Sequence, residues 1–286
     1  MKVLILGGSG MIGHQLLIRL LKNFEVMTTL RFSEDKYKEF KIFNKKNSFF
    51  NVNVLEDLNL KKTIINFNPE IIINAVGITK QKIFSSKLVN RINSNFPKTL
   101  LKICIKENIK LIHLSTDCVF SGDKGFYNET DIPDPNEPYG KSKYKGEIKD
   151  DSNIIILRKS TIGPELRDKH GLFEWFISKK GDIEGYKNAK FTGVTSIELA
   201  NIIEKIILHH RELYGLWHVA GPMIDKYSLL MKIKSLLQRK DINILLNESF
   251  KCDRTLDGRK FSSLTNYQPP LWDEMLSDMI REYNNV

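Results

Sequence analysis

The chain has 286 residues, 41% hydrophobic and 27% charged, enough apolar content to bury a full core in one large domain or two smaller ones. Lysine and arginine outnumber aspartate and glutamate by 44 to 34, giving a net charge of +10, but the basic residues are scattered rather than blocked. That pattern weighs against a nucleic-acid-binding stripe and suits attraction of an anionic small molecule, such as a dinucleotide or a nucleotide sugar.

Three cysteines, Cys104, Cys118 and Cys252, are odd in number and far apart. Reduced thiols in a cytoplasmic protein are expected, with no metal-ligand spacing. The apolar start Val3 to Leu6 breaks into Gly7-Gly8-Ser9-Gly10 too early for a secretory h-region, and no apolar run reaches membrane-spanning length.

In chain order, Lys2 to Leu6 reads as a short buried strand and Met11 to Leu21 as a helix. Glu25 to Leu30 is rich in strand formers. The Lys/Asn-heavy stretch Ser33 to Asn51 reads as a solvated surface excursion, before a third strand. A helix over Leu58 to Phe67 leads to a continuous apolar strand, Ile71 to Val76. Ser86 to Glu107 is helical, with Pro97 marking a kink or a late start. Then come a strand (Lys110 to Leu114), a helix (Lys141 to Lys149), a strand (Ile154 to Leu157), a helix (Ser196 to His209) and a strand (Leu216 to Ala220).

Fully apolar strands alternating with helices predict an α/β fold: a Rossmann-type doubly wound parallel sheet with a smaller C-terminal substrate lobe. Gly163 to Thr195 reads as mostly irregular, with one helix near Leu172 to Lys179. Tyr227 to Gln238 and Trp272 to Tyr283 read as helices of the smaller lobe. The expected division assigns 1–160 and 196–220 to a dinucleotide-binding domain, and 161–195 and 221–286 to the substrate lobe.

Gly7-Gly8-Ser9-Gly10-Met11-Ile12-Gly13 places G-x-x-G-x-x-G between the first strand and the first helix. Glycines there permit a tight turn and close approach of backbone to pyrophosphate, and the helix N-terminus supplies N–H donors. Gly7, Ser9, Gly10, Met11, Ile12 and Gly13 are therefore cofactor candidates; the alternative is an ordinary glycine-rich turn. The second strand ends at Leu30-Arg31 with no acid to hold ribose hydroxyls, so Arg31 points to the 2′-phosphate of NADP(H), the alternative being a plain surface arginine. Asn53 and Val54 would lie near the adenine. Ala75, Val76 and Gly77 would let backbone approach the cofactor at the end of the fourth strand.

The fifth strand delivers Ser115-Thr116-Asp117 at its carboxyl end, where ligands sit in open α/β sheets. Tyr139-Gly140-Lys141-Ser142-Lys143 follows. A hydroxyl (Thr116), a phenol (Tyr139) and an ammonium (Lys143) are the groups needed to polarise a carbonyl and protonate its oxygen. Tyr139 and Lys143 share a helix face, so the cation is expected to lower the phenol pKa from about 10. Tyr37/Lys41 and Tyr186/Lys190 have the same spacing but fall away from strand termini, so both are assigned to structure.

These segments, in this order, resemble the extended short-chain dehydrogenase/reductases, and more closely the dTDP-4-dehydrorhamnose reductase branch. The resemblance rests on His113 to Gly122, Gly125 to Asp131, Pro138 to Lys143, Gly146-Glu147, Leu157-Arg158 and Arg254 to Asp257. His170-Gly-Leu-Phe-Glu-Trp-Phe176 resembles relatives acting on UDP-linked 2-acetamido-6-deoxy sugars. The resemblance implies NADPH-dependent reduction of the C4 ketone of a nucleotide-linked 6-deoxy-4-hexulose, in cell-surface polysaccharide precursor synthesis. Thr116, Tyr139 and Lys143 would be catalytic, with Ser115, Tyr139 and Lys143 also touching the cofactor. Lys80, Gln81, His170, Lys190 and Arg254 are substrate candidates, though lysines this abundant are commonly only solvated.

The residue after Asp117 is Cys118, where the sugar-nucleotide dehydratases carry Glu, which argues against dehydration. A nucleotide-sugar substrate is the expected partner, with a homodimer left open and no nucleic acid and no membrane expected. Two other readings stay open: a non-catalytic dinucleotide-binding regulatory subunit, and a bifunctional epimerase-reductase.

Overall fold

The computed structural model describes residues 1–80, 85–167 and 169–283. Its main sheet has seven strands: β1 (Lys2–Leu6), β2 (Glu25–Thr29), β3 (Ser48–Phe49), β4 (Ile71–Asn74), β5 (Lys110–Leu114), β6 (Ile154–Arg158) and β11 (Gly215–His218). All pair in parallel, in the order β11-β6-β5-β4-β1-β2-β3. The chain runs outward from β1 in one direction and then restarts at β4 in the other. A crevice therefore opens beyond the carboxyl ends of β1 and β4, where the direction switches.

Alternation within each strand explains why the runs are continuously apolar. Val3 and Ile5 of β1 face a core shared with α1 (Met11–Leu20) and α7 (Ser196–His209), while Leu4 and Leu6 face one shared with α2 (Asp57–Phe67) and α4 (Phe96–Lys106). With both faces covered, each fully buried Leu or Ile contributes about 1.5–3 kcal/mol, so a polar residue on either face would be costly. The doubly wound parallel sheet expected from the sequence is what forms.

Several boundaries differ. The helix expected from Lys141 is α5 (Pro138–Lys145); proline opens it because its fixed φ suits the first turn and its missing N–H costs nothing there. The expected Ser86 to Glu107 helix is α3 (Ser86–Val89), a π-helical segment over Asn90–Asn95, and α4, with Pro97 in the first turn of α4. The Ser33 to Asn51 excursion is not simply solvated. Tyr37 is 2% exposed, packed edge-on to Phe43 at 5.7 Å, and Ser48–Phe49 joins the sheet.

Gly163 to Thr195, expected to be irregular, carries β8 (Gly181–Tyr186), β9 (Ala189–Phe191) and β10 (Val194–Thr195) beside α6 (Leu172–Ser178). Their partners are distant in sequence: β7 (Thr161–Ile162) pairs with β10, β12 (Ile224–Asp225) and β14 (Cys252–Arg254) flank β9, and β13 (Ile242–Asn247) pairs with β8. Helices α8 (Lys226–Leu236), α9 (Arg259–Thr265) and α10 (Trp272–Tyr283) complete this part. Among the described residues no helix is long and apolar enough to cross a membrane, and no acidic, cysteine or histidine cluster has metal-binding geometry.

Candidate active site

The crevice is built from strand ends. After β1 the chain turns at Gly7 (φ +88°), and Gly13 of α1 lies so close beneath it that an added Cβ would meet the Gly7 carbonyl oxygen at 2.1 Å. That contact excludes a side chain at Gly13, the positive φ disfavours one at Gly7, and the close packing brings the α1 N-terminus to the crevice. Ser9, Gly10, Met11 and Ile12 line a cavity of about 360 Å³ with Ala75, Val76 and Gly77 from the end of β4. Ser115 and Thr116 from the end of β5 and Tyr139 and Lys143 from α5 line the same cavity.

Helix α5 reaches the site because of Gly140. A Cβ there would lie 2.0 Å from the Cys118 carbonyl oxygen, so only glycine lets the helix lie against the turn after Thr116. The π-helical segment holds the other flank. Asn93 donates to the Ser142 hydroxyl (3.0 Å) and to the Ile78 carbonyl (2.9 Å), while its own carbonyl accepts from the Ile78 N–H (2.8 Å). It thereby ties the segment after β4 to α5.

Thr116 Oγ1 accepts from the Cys118 N–H (3.1 Å) and donates to Asp117 (3.1 Å), so it caps the turn as well as lining the cavity. Lys143 is 4% exposed and its ammonium donates to the Leu114 carbonyl at 2.7 Å. Burial, with Lys159 adding repulsion and Glu147 opposing, lowers the Lys143 pKa to about 7. The Tyr139 phenol is pushed up by burial first, then by Cys118 and Asp117, against a smaller pull from the Thr116 hydroxyl. The expected lowering of the phenol pKa by the neighbouring cation is therefore not found: burial dominates and Lys143 is not among the groups that shift Tyr139. A phenol held protonated is the form that donates a proton to a developing alkoxide. Cys118 is equally unreactive, its thiol pushed up to about 12 by burial.

Behind these residues runs a buried polar chain that the sequence reading did not assign. Ser115 donates to Glu147 (2.6 Å), and Arg158 grips both Glu147 oxygens at 2.9 and 2.7 Å. Both members of that ion pair are fully buried. Arg158 reaches His218 Nε2 at 3.4 Å, and His218 Nδ1 lies 3.0 Å from the Tyr127 carbonyl. The ring is therefore neutral, with Nδ1 donating and Nε2 accepting, and burial beside Arg158 lowers its pKa to about 3. The network fixes the loop after β5 from below. Gly146-Glu147 and Leu157-Arg158 are among the segments that carry the family resemblance, but nothing in the sequence pairs the two charges.

The remaining candidates are spread out. Lys80 lines the cavity and pairs with Glu137 at 2.8 Å. Arg254 lies near the same Glu137 oxygen (3.7 Å) and donates to the Phe120 carbonyl (2.9 Å), bracing β14 against the start of α5 rather than lining the cavity. Gln81 lies outside the described residues. His170 is exposed, its backbone N–H held by Glu165, and Lys190 lines a separate pocket beside Trp272. Arg31, Asn53 and Val54 also lie outside the cavity lining; Arg31 is exposed over the Phe32 ring. Two cations not singled out in sequence do line it: Lys159, whose pKa burial lowers to about 8, and Arg167. Their only sequence clue is position, one just after β6 and the other between β7 and α6.

Residues 1–172 match the family model described as the RmlD substrate binding domain. A dTDP-4-dehydrorhamnose reductase of Aggregatibacter actinomycetemcomitans is 30% identical over 309 residues, covering 99% of each chain. The chain belongs to this family. A dTDP-4-dehydrorhamnose reductase from Bacillus anthracis, solved in complex with NADP, shares its fold, with a TM-score of 0.80 at 22% identity over 98% of this chain and 99% of that one. Methionine adenosyltransferase 2 subunit beta of Xenopus laevis is 30% identical over a shorter stretch, 37% of this chain and 34% of that one. The family resemblance read from the motifs thus holds from end to end.

Proposed function

We propose that this chain is an NADP-dependent oxidoreductase that reduces the C4 ketone of a nucleotide-linked 6-deoxy-4-hexulose for a cell-surface polysaccharide precursor. The observation that carries the reading is the convergence of Thr116, Tyr139 and Lys143 on the cavity that also holds the glycine turn. The near-full-length similarity to a dTDP-4-dehydrorhamnose reductase supports the substrate class. When bound, NADPH supplies the hydride. Gly10, Met11 and the α1 N-terminus suit its pyrophosphate, and the open backbone at Ala75, Val76 and Gly77 suits close approach of its body.

In this reading Tyr139 donates its proton to the oxygen as the ketone becomes an alcohol. The Thr116 hydroxyl, now donating to Asp117, turns to the same oxygen and fixes it. Lys143 holds the nicotinamide ribose beside Tyr139. Residues 161–195 and 221–286 form the substrate lobe, and 1–160 with 196–220 the cofactor domain. In this reading the reaction runs in the cytoplasm on a soluble nucleotide sugar, and a homodimer is the assembly to look for.

Screening UDP- and dTDP-linked 4-keto-6-deoxyhexoses for NADPH consumption tests the proposal. Turnover with one of them is expected. Cofactor binding without turnover across the panel would instead favour a non-catalytic dinucleotide-binding regulatory subunit; the Xenopus relative is named as a subunit of methionine adenosyltransferase 2. Solvent deuterium entering C3 or C5 of the product would identify an epimerase-reductase.

A further inference from the structure

The polar excursion after β2 builds an aromatic platform beside the crevice. Phe32 is 44% exposed and packs at 6.5 Å from Tyr37, which is anchored below against Phe43 and Phe50. Two guanidinium groups flank this platform from different parts of the chain. Arg31 lies 5.5 Å from the Phe32 ring centre. Arg167, from the segment between β7 and α6, lies 5.5 Å from the same centre and 5.3 Å from that of Tyr37. Arg167 also lines the cavity with Ser9 and Gly10, and the end of β2 is bound to the glycine turn through Gly8 N–H to the Thr29 carbonyl (3.1 Å).

The segment that carries Arg167 is held in shape by carboxylates. Glu165 accepts from the Gly171 N–H at 2.7 Å, and Glu174 accepts from the Glu165 N–H at 3.1 Å. Stacking on aromatic faces orients a planar guanidinium while leaving its edge N–H groups free for an anion. Two such forks around one exposed ring, next to the end of β2, suit a phosphate monoester on an adenosine ribose.

We propose that Arg167 is the second arm of a clamp for the cofactor 2′-phosphate, with Arg31 as the first, so that cofactor choice depends on the segment between β7 and α6. This rests on the NADP reading above. Arg167 is then a specificity-determining residue outside the dinucleotide half, and the Lys/Asn-rich excursion is the platform that orients both arms.

The test measures binding of 2′,5′-ADP and of 5′-AMP to the full chain and to Arg167→Ala, Arg167→Lys and Arg31→Ala, at low and high salt. Arg167→Ala is expected to weaken 2′,5′-ADP about tenfold while leaving 5′-AMP unchanged, as for loss of one charge-assisted contact of about 1.4 kcal/mol. Arg167→Lys should restore only part, because a lysine lacks the stacked fork, and the preference for 2′,5′-ADP should shrink with salt. Unchanged 2′,5′-ADP binding in Arg167→Ala, or an equal loss for both ligands, overturns the clamp and leaves the NADP reading intact. A wild-type chain that binds 2′,5′-ADP no better than 5′-AMP overturns the NADP reading itself. Arg167 is exposed, so the alanine variant should melt as wild type does, and the lysine variant provides a folded control.

Discussion

Two segments of this chain carry the same tyrosine-to-lysine spacing and meet opposite fates. Tyr139 and Lys143 lie on one α-helix, α5, whose glycine lets it press against the turn after β5; the lysine is buried and the tyrosine faces the cavity. Tyr37 ends a 3-10 turn (Glu34–Tyr37), so Lys41 is not on a shared helix face; its ring is buried and Lys41 is exposed. Spacing supplies a pair only where the backbone is helical and a neighbouring strand end brings a ligand cavity to it. In the first segment a buried polar network stands behind the pair, whereas in the second an aromatic cluster takes its place.

The largest contrast is catalytic. Tyr139→Phe removes the proposed proton donor and is expected to lower kcat by about 10²–10⁴-fold in NADPH oxidation with a 4-keto sugar nucleotide, with cofactor affinity retained. Tyr37→Phe should leave kcat near wild type, since its hydroxyl only accepts a 3.4 Å contact from the Phe32 N–H. Comparable losses in both variants would erase the distinction.

The network behind the first segment can be broken directly. Glu147→Gln leaves the Arg158 charge buried without its carboxylate, which costs about 3–5 kcal/mol and should lower the denaturation midpoint sharply. A shift of only a few tenths of a kcal/mol would mean that the network does not hold the loop.

Close approach of α5 is the next point of attack. Gly140→Ala would drive its Cβ into the Cys118 carbonyl, so α5 must move outward. A displacement near 1 Å is expected to cost about 10²-fold in kcat/KM, measured in the same assay. Activity within twofold of wild type would show that the helix has slack.

The fold was readable because buried parallel strands need apolar residues on both faces, and Val3 to Leu6, Ile71 to Ile73 and Ile154 to Leu157 carry nothing else. The glycine turn and Thr116 were readable for the same reason, since their position at strand ends follows once strand order is known, and Tyr139 and Lys143 lie on the α-helix that follows β5 in sequence. What stayed hidden depends on long-range contact. Strand β8 is half-exposed and β9 has only three residues, and they pair with β13, β12 and β14, so no local run announces them. Arg167 and Lys159 are two among 44 basic residues, and only the folded crevice sets them apart. The Tyr139 phenol shift was read with the wrong sign because sequence shows the charge nearby but not the burial around it.

The smallest expected effect compares the two lysines by pH. The folded-state pKa of Lys143 is lowered from 10.5 to about 7, so between those values the unfolded chain binds a proton that the folded chain does not. Stability of the wild type therefore rises with pH across that window, and below about pH 7 the full cost of burying the ammonium is present. Lys143→Met removes that cost but also the hydrogen bond to the Leu114 carbonyl, a roughly constant loss of about 1 kcal/mol. The melting temperature of Lys143→Met relative to wild type should thus be higher at pH 6 than at pH 9. The exposed Lys41 bears no burial cost, and Lys41→Met should shift the melting point equally at both values. A Lys143→Met difference that is flat with pH would mean that the Lys143 ammonium is paired or hydrated in solution, and would bring the two segments closer together than their burial implies.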